Sequence, residues 1–314
     1  MPTSLLEARP RRSARDTDAL AAAVRRLFAG WSIETTPRQA ERIASFQAQL
    51  PPGTRVNVAF VPDESDRAVV STVRRLVDEG MRPVPHVPAR TMPSAAFLED
   101  YLTACAQAGA GEALVIGGGV GRPRGPFDRS MQVLKTGLLQ ALGYRRVGVA
   151  GHPEGSPDIA QGDLIRALAE KNEFAAATGL ELVIYTQFTF DAAAVIRWRE
   201  LLAAVGNRLP IRLGIPGPAS IKSLMRYAAL CGVGSSLRFL SRRRGQVMQL
   251  LGQAEPDGFV VDFVQHLVDD AGGRIEGVHL YPFGGVEKAT AYARALAEGR
   301  FQVSRSGDGL TVTG

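Results

Sequence analysis

The sequence predicts an α/β chain closed as a single (β/α)8 TIM barrel, with extra helices before the last strand. Three observations predict it. Eight short runs rich in apolar and β-branched residues recur along the chain. Stretches with apolar residues at helical spacing separate them. The total of 314 residues suits one barrel, which typically needs about 250.

The strand candidates are residues 31–35 (WSIET), 56–61 (VNVAFV), 82–87 (RPVPHV), 113–117 (ALVIG), 146–150 (RVGVA), 181–187 (ELVIYTQ), 211–215 (IRLGI) and 277–281 (GVHLY). Several are nearly apolar throughout, as expected of parallel strands covered by helices. Every interval between strand ends is long enough for a crossover helix. Helical spacing links Leu98, Tyr101, Leu102 and Cys105, then Met131, Leu134, Leu138 and Leu142, then Val195, Trp198, Leu202 and Val205. Asp191 is placed to cap the last of these, and residues 91–94 (TMPS) open the first. The longest interval, before the eighth strand, has room for helices at 235–252 and 256–271. A final helix at 285–297 precedes FQVSRSGDGLTVTG, whose Gly-Asp-Gly suggests a turn between two short strands. The expected organisation is a flexible basic tail at 1–14, the barrel at 15–300 and a short C-terminal tail at 301–314.

Composition narrows the class. With 45% apolar and 22% charged residues the chain is too apolar for disorder. The net charge of +6 and the pI of 9.7 invite a nucleic-acid reading. Against it, the basic residues are scattered, and the clusters Arg9, Arg11, Arg12, Arg15 and Arg242–Arg244 lack the interleaved aromatics of a base-stacking surface. Cys105 and Cys231 form no CxxC and fall in apolar helical patterns, which reads as burial rather than a disulfide or zinc site. No apolar run reaches the ~18 residues of a membrane span, and no signal-peptide core opens the chain, so a cytoplasmic protein is expected.

A barrel carries its chemistry at the carboxyl ends of its strands. Polar or unusual residues there are Glu34, His86, Gly117–Gly119, His152, Glu154 and Gln187. Glu34 reads in two ways. Partly desolvated at the mouth, its pKa would rise towards that of a general acid; alternatively it is a capping or ion-paired carboxylate, with Arg38 nearby. The segment GGGVGRPRG (117–125) fits neither GxGxxG, since Arg124 stands at the last glycine, nor a P-loop, and remains a loop that lets a ligand approach the backbone. Four histidines, His86, His152, His266 and His279, show no metal-binding spacing, and His266 and His279 read as structural. No GxSxG elbow is present.

Two segments resemble a known family. GHPEGSPD (151–158) followed by YTQFTFD (185–191) is similar to the paired Y-P-E-x-H-P and T-Q-F-x-F-D motifs of the methylenetetrahydrofolate reductases. In order along the chain, IETTPR (33–38), PHVPAR (85–90), GPFDRSMQVLKTG (125–137) and LYPFGGVEKA (280–289) look like further segments of its shorter bacterial branch. The resemblance spans roughly residues 30–297 and implies a barrel with noncovalent FAD. The implied reaction is hydride transfer between reduced flavin and 5,10-methylenetetrahydrofolate, giving 5-methyltetrahydrofolate, with Glu34 as the catalytic acid. His86, Gly118, Gly119, His152, Glu154, Lys171 and Gln187 fall at flavin-lining positions, with Lys171 suited to the pyrophosphate. Gln187, Phe239 and Tyr281 fall at folate-lining positions. The implied partner is a small folate, with neither nucleic acid nor membrane, and self-association is left open, as is the choice of NADH or NADPH.

The departures carry information. The family's fourth strand ends in Gly-Asp, where this chain has Gly118-Gly119. The tyrosine before Pro-Glu is His152, and the later histidine is Ser156. Losing an anion beside the flavin favours its reduced, anionic form, which points to altered pyridine-nucleotide use or a bias towards oxidising methyltetrahydrofolate. Two other classes stay open: a flavin- or folate-binding barrel accessory to methyl transfer without reductase activity, and a polyanion-binding protein motivated by the pI alone. The positive balance also suits steering of anionic ligands to the barrel mouth.

Overall fold

All eight expected strands are present, as β1 (Ser32–Thr35), β2 (Arg55–Val58), β3 (Arg82–Pro88), β4 (Glu112–Ile116), β5 (Arg146–Gly151), β6 (Glu181–Thr186), β7 (Ile211–Pro216) and β8 (Ile275–Tyr281). The computed structural model describes residues 14–61, 64–119, 121–230, 253–254, 256–268, 274–304 and 309–313. Each strand pairs in parallel with its neighbours in chain order, and β1 closes the barrel on β8 through Ser32↔His279 and Ile33↔Leu280. This is the (β/α)8 architecture.

Successive side chains on a strand point to opposite faces, so closure sorts each strand into an outer and an inner set. Ile33, Val56, Val58, Val147, Val149, Leu182, Ile184, Leu213, Ile215, Val278 and Leu280 lie outside, in the core shared with the helices. The inner set is layered. At the amino ends of the strands it is ionic: Arg55 pairs with Glu112 at 2.9 Å, and Arg146 bridges Glu181 and Glu276. Above lies an apolar layer of Val84, Leu114, Val183 and Tyr185. Polar side chains of the mouth form the third layer.

One irregularity makes this layering work on β8. Its register on β7 shifts between Ile275 and Gly277, where Gly277 takes φ 153°. The extra residue of such a bulge changes strand parity. Glu276 therefore faces the ionic layer while His279 faces the mouth.

Ser94 and Asp191 cap the helices Ala95–Gln107 and Ala192–Ala204, each accepting from the backbone N–H three residues on. Other details differ from expectation. The pattern from Met131 to Leu142 forms two short helices, Ser130–Leu134 and Leu138–Ala141, because Gly137 adopts φ 75° between them and breaks the turn. The second strand stops at Val58 instead of residue 61. The helix Ala14–Phe28, whose Leu20, Val24 and Phe28 are buried, begins at the last residue of the span expected as a tail, and residues 1–13 lie outside the described residues. Of the extra helices, one is seen at Asp257–Val268, and the other, at 235–252, also lies outside. Phe301–Val303 and Leu310–Val312 pair antiparallel as a terminal hairpin. Cys105 is buried, as expected, and Cys231 lies outside the described residues. Among the described residues no helix is long and apolar enough to cross a membrane.

Gly148 on β5 sets the room available to Tyr185. A Cβ there would stand 2.7 Å from the Leu114 side chain and 2.9 Å from the Tyr185 ring. Gly148→Ala is expected to lower unfolding free energy by about 1–3 kcal/mol through overpacking. Urea denaturation checks this, and an unchanged midpoint would show that the interior relaxes around the methyl group.

Candidate active site

Strand parity brings Ser32 and Glu34, two residues apart on β1, to the same inner face. β8 supplies His279, the register partner of Ser32, and β2 supplies Asn57, the register partner of Glu34. From β3 comes His86. The Glu34 Oε2 atom lies 3.5 Å from His86 Nε2 and 3.9 Å from His279 Nε2, close enough to pair with either imidazole when it is protonated. Glu34 leaves 23% of its side chain exposed, against 1% for His279, so the carboxylate is the member of the cluster open to a ligand. Among the described residues its charge contacts are these two histidines, not Arg38.

Below the carboxylate the contacts tighten. His279 Nδ1 lies 2.9 Å from Ser32 Oγ, and Tyr185 and Tyr281 pack edge-on against the His279 ring. Tyr101 donates from its hydroxyl to the His86 carbonyl at 2.9 Å, which ties β3 to its following helix. Asn57 is fully buried, and neither of its side-chain amide atoms has a hydrogen-bond partner among the described residues.

The electrostatics correct one expectation. Burial pushes the Glu34 carboxyl up, but the facing His279 and His86 imidazoles outweigh it, and the net direction is down from the ordinary value. Burial likewise holds His86 and His279 below the usual histidine range, against the pull of Glu34. Near neutral pH the cluster is an ionised carboxylate facing two neutral imidazoles. His279 corrects a second expectation. Paired with His266 as structural on sequence grounds, it belongs to this cluster, whereas His266 is exposed on an outer helix with Nδ1 2.7 Å from the Asp262 carbonyl.

A second group surrounds the ends of β5 and β6. Lys171, on the helix Gln161–Thr178, is 6% exposed, and burial brings its ammonium down to about 8. Burial, with the Lys171 charge, brings His152 down to about 4. Glu154 accepts from the Thr189 hydroxyl, which joins the loops after β5 and β6, and the Gln187 N–H donates to the Gly151 carbonyl at 3.0 Å. After β4, Gly118 adopts φ 94° beside Pro88, and the Arg90 N–H donates to the Gly117 carbonyl at 2.9 Å, while Gly119 is exposed. Tyr281 donates to the Thr186 carbonyl at 3.0 Å and shares an aromatic wall with Phe188 and Phe283. Phe239 lies outside the described residues. A cavity of about 210 Å³ opens beside the ends of β2 and β3 among Phe60, Thr91, Phe97 and Arg124, none of them among the expected site residues.

Sequence reasoning missed Ser32, Asn57 and Phe188 and misread His279. A signal existed for two of them: Ser32 precedes Glu34 by two residues and His279 precedes Tyr281 by two, the spacing of one strand face. Among the described residues no group of three or more His, Cys, Asp or Glu side chains is arranged to hold a metal ion.

No protein-family model matches the chain. Among solved structures it is similar to dihydropteroate synthase from Thermus thermophilus in complex with 6HMPPP, at 15% identity and a TM-score of 0.44 over 85% of this chain and 92% of that one. Dihydropteroate synthase from Yersinia pestis, in a sulfonamide drug complex, matches at 15% identity and 0.43 over 85% and 92%. Tryptophan synthase from M. tuberculosis matches at 12% identity and 0.44 over 89% and 97%. Likeness of this degree carries no inference about chemistry, and the fold assignment rests on the strand order.

The depressed His152 has a consequence for stability. An unfolded chain protonates this histidine below about 6.5, whereas the native state resists down to about 4. The unfolded state therefore binds more protons in that window, and stability falls as pH drops through it, by on the order of 3 kcal/mol. His86 and His279 act with the same sign. His152→Asn is expected to flatten part of this loss when urea unfolding is compared at pH 7 and pH 4.5; an unaltered slope would mean that His152 titrates normally in the folded chain.

Proposed function

We propose that this chain is a flavin-dependent oxidoreductase that interconverts 5,10-methylenetetrahydrofolate and 5-methyltetrahydrofolate by hydride transfer, with Glu34 managing the proton. The observation that carries the reading is the placement of Glu34: a carboxylate open at the barrel mouth, backed by Ser32 and His279 and flanked by His86. This is the setting that the sequence resemblance calls for.

The residues present fit a flavin dinucleotide. Lys171 is an ammonium buried deeply enough to be depressed, so an anionic pyrophosphate beside it would relieve its desolvation. His152, neutral and half-buried, would add a polar contact without a competing charge. Gly118, with its positive φ, keeps the loop after β4 free of a side chain. Reduced flavin, when bound, supplies the hydride.

Glu34 does the proton work. A ligand covering the mouth removes the water that solvates its exposed edge, and desolvation raises a carboxyl pKa. The carboxyl then carries a proton to the bridging amine of the folate ring, which leaves poorly until protonated; the iminium formed on ring opening accepts the hydride. In the opposite direction the carboxylate takes that proton back. His86 and His279 stay neutral and orient the carboxylate without a fixed positive charge. Gln187 and Tyr281, at the ends of β6 and β8, supply polar and aromatic contacts for the pterin. Gly119 leaves its position after β4 without a carboxylate, which supports a bias towards the oxidative direction.

Two measurements test the reading. Purified protein, with FAD added if colourless, is expected to show flavin absorbance, and Glu34→Gln should keep that absorbance while slowing folate turnover by about 10²-fold or more. Absence of flavin binding, or full turnover in Glu34→Gln, overturns it. Assayed both ways, the wild type is expected to oxidise methyltetrahydrofolate with an artificial acceptor faster than it reduces methylenetetrahydrofolate with NADH or NADPH; rapid NADH-driven reduction would remove the directional bias.

A further inference from the structure

Arg212 joins the ionic layer at the base of the barrel to the mouth. Arg212, on β7, is 3% exposed. Its Nε and Nη2 atoms both lie 3.1 Å from Glu276 Oε1. Its Nη1 donates to the carbonyls of Gly30 at 2.9 Å and Val278 at 3.1 Å, and lies 3.4 Å from Ser32 Oγ. The guanidinium thus spans β7, β8 and the entry to β1, directly beneath the serine that touches His279. Gly277, at the bulge, is the register partner of Arg212 and lies beside Nη1.

This arrangement sets the direction of a hydrogen bond. A hydroxyl beside a permanent cation turns its oxygen towards the charge and its hydrogen away. The Ser32 hydroxyl has two acceptors in reach: the Val278 carbonyl, at 3.4 Å and already engaged by Arg212, and His279 Nδ1, at 2.9 Å. The hydrogen goes to Nδ1. A histidine that accepts at Nδ1 carries its proton on Nε2, the atom that faces Glu34.

We infer that Arg212 is a positioning residue which, through Ser32, holds His279 as the neutral Nε2–H tautomer towards Glu34, so that the ring meets the carboxylate as a neutral donor and proton exchange with a ligand falls to Glu34. The inference deepens the reading of Glu34 as the proton carrier and rests on it only for its catalytic meaning. The groups facing His279 are Glu34 from β1, His86 from β3, Tyr185 from β6, Arg212 from β7 and Tyr281 from β8. Glu34 favours a second proton on the ring, and Arg212 opposes it.

The test reads the imidazole directly and needs neither flavin nor folate. Protein labelled with ¹⁵N-histidine is titrated by NMR, with His279 assigned by comparison with His279→Gln. In the wild type, His279 is expected to show a protonated Nε2 and a bare Nδ1 throughout the neutral range. Arg212→Met should lose this preference and let the imidazolium form about one pH unit higher, whereas Arg212→Lys, which keeps the cation, should restore most of it. Ser32→Ala leaves the ionic layer in place and should also release the tautomer, which decides the matter if Arg212→Met does not fold. An unchanged His279 tautomer and titration in folded Arg212→Met or in Ser32→Ala overturns the inference. A locked tautomer alongside full folate turnover in Glu34→Gln would instead sink the functional reading and leave the positioning role standing.

Discussion

The carboxylate of Glu276 is the anchor on which the barrel interior depends. It is shared by Arg212, which is buried, and by Arg146, which is half-buried. Burial alone would push this carboxyl up, and the two arginines more than reverse that. Removing Arg212, the buried partner, would leave the carboxylate short of one of its two cations. Paired, the charges form a floor that fixes how strands from opposite sides of the barrel meet, with Arg55 and Glu112 completing it on the far side.

What stands on that floor follows from size and charge. The apolar layer admits a tyrosine because β5 offers a glycine opposite it. Above it, the mouth gathers one carboxylate, two imidazoles, an amide and a hydroxyl, and only the carboxylate is open to solvent. Imidazoles kept neutral by burial orient the Glu34 carboxylate and lower its proton affinity in the open state. A site built this way holds its carboxylate ionised while the mouth is open. Asn57, buried beside Glu34 with its amide atoms unmatched, is a cost in stability that a packed core would ordinarily remove.

Much of this was legible in the sequence, and the misses have physical causes. All eight strands were found because short apolar, β-branched runs separated by helical patterns are local signals. The helix expected through Leu142 broke at Gly137, whose left-handed conformation the apolar pattern does not reveal. The eighth strand was started at Gly277, so Glu276 went unnoticed; the bulge that turns it inward is a register shift against β7, not a property of β8 alone. Glu34 was found from its place at a strand end, yet the direction of its pKa was not, because that depends on His86 and His279.

The sequence by itself determined the number and order of strands, their covering helices, and the carboxylate and glutamine at strand ends, since each depends on neighbours a few residues away. The tertiary structure alone decided that Ser32 meets His279 from 247 residues along the chain, that Arg212 lies beneath both, and that three titratable groups share one small volume. Closing the sheet converts strand register into side-chain contact, and register between β1 and β8 exists only once the barrel is closed.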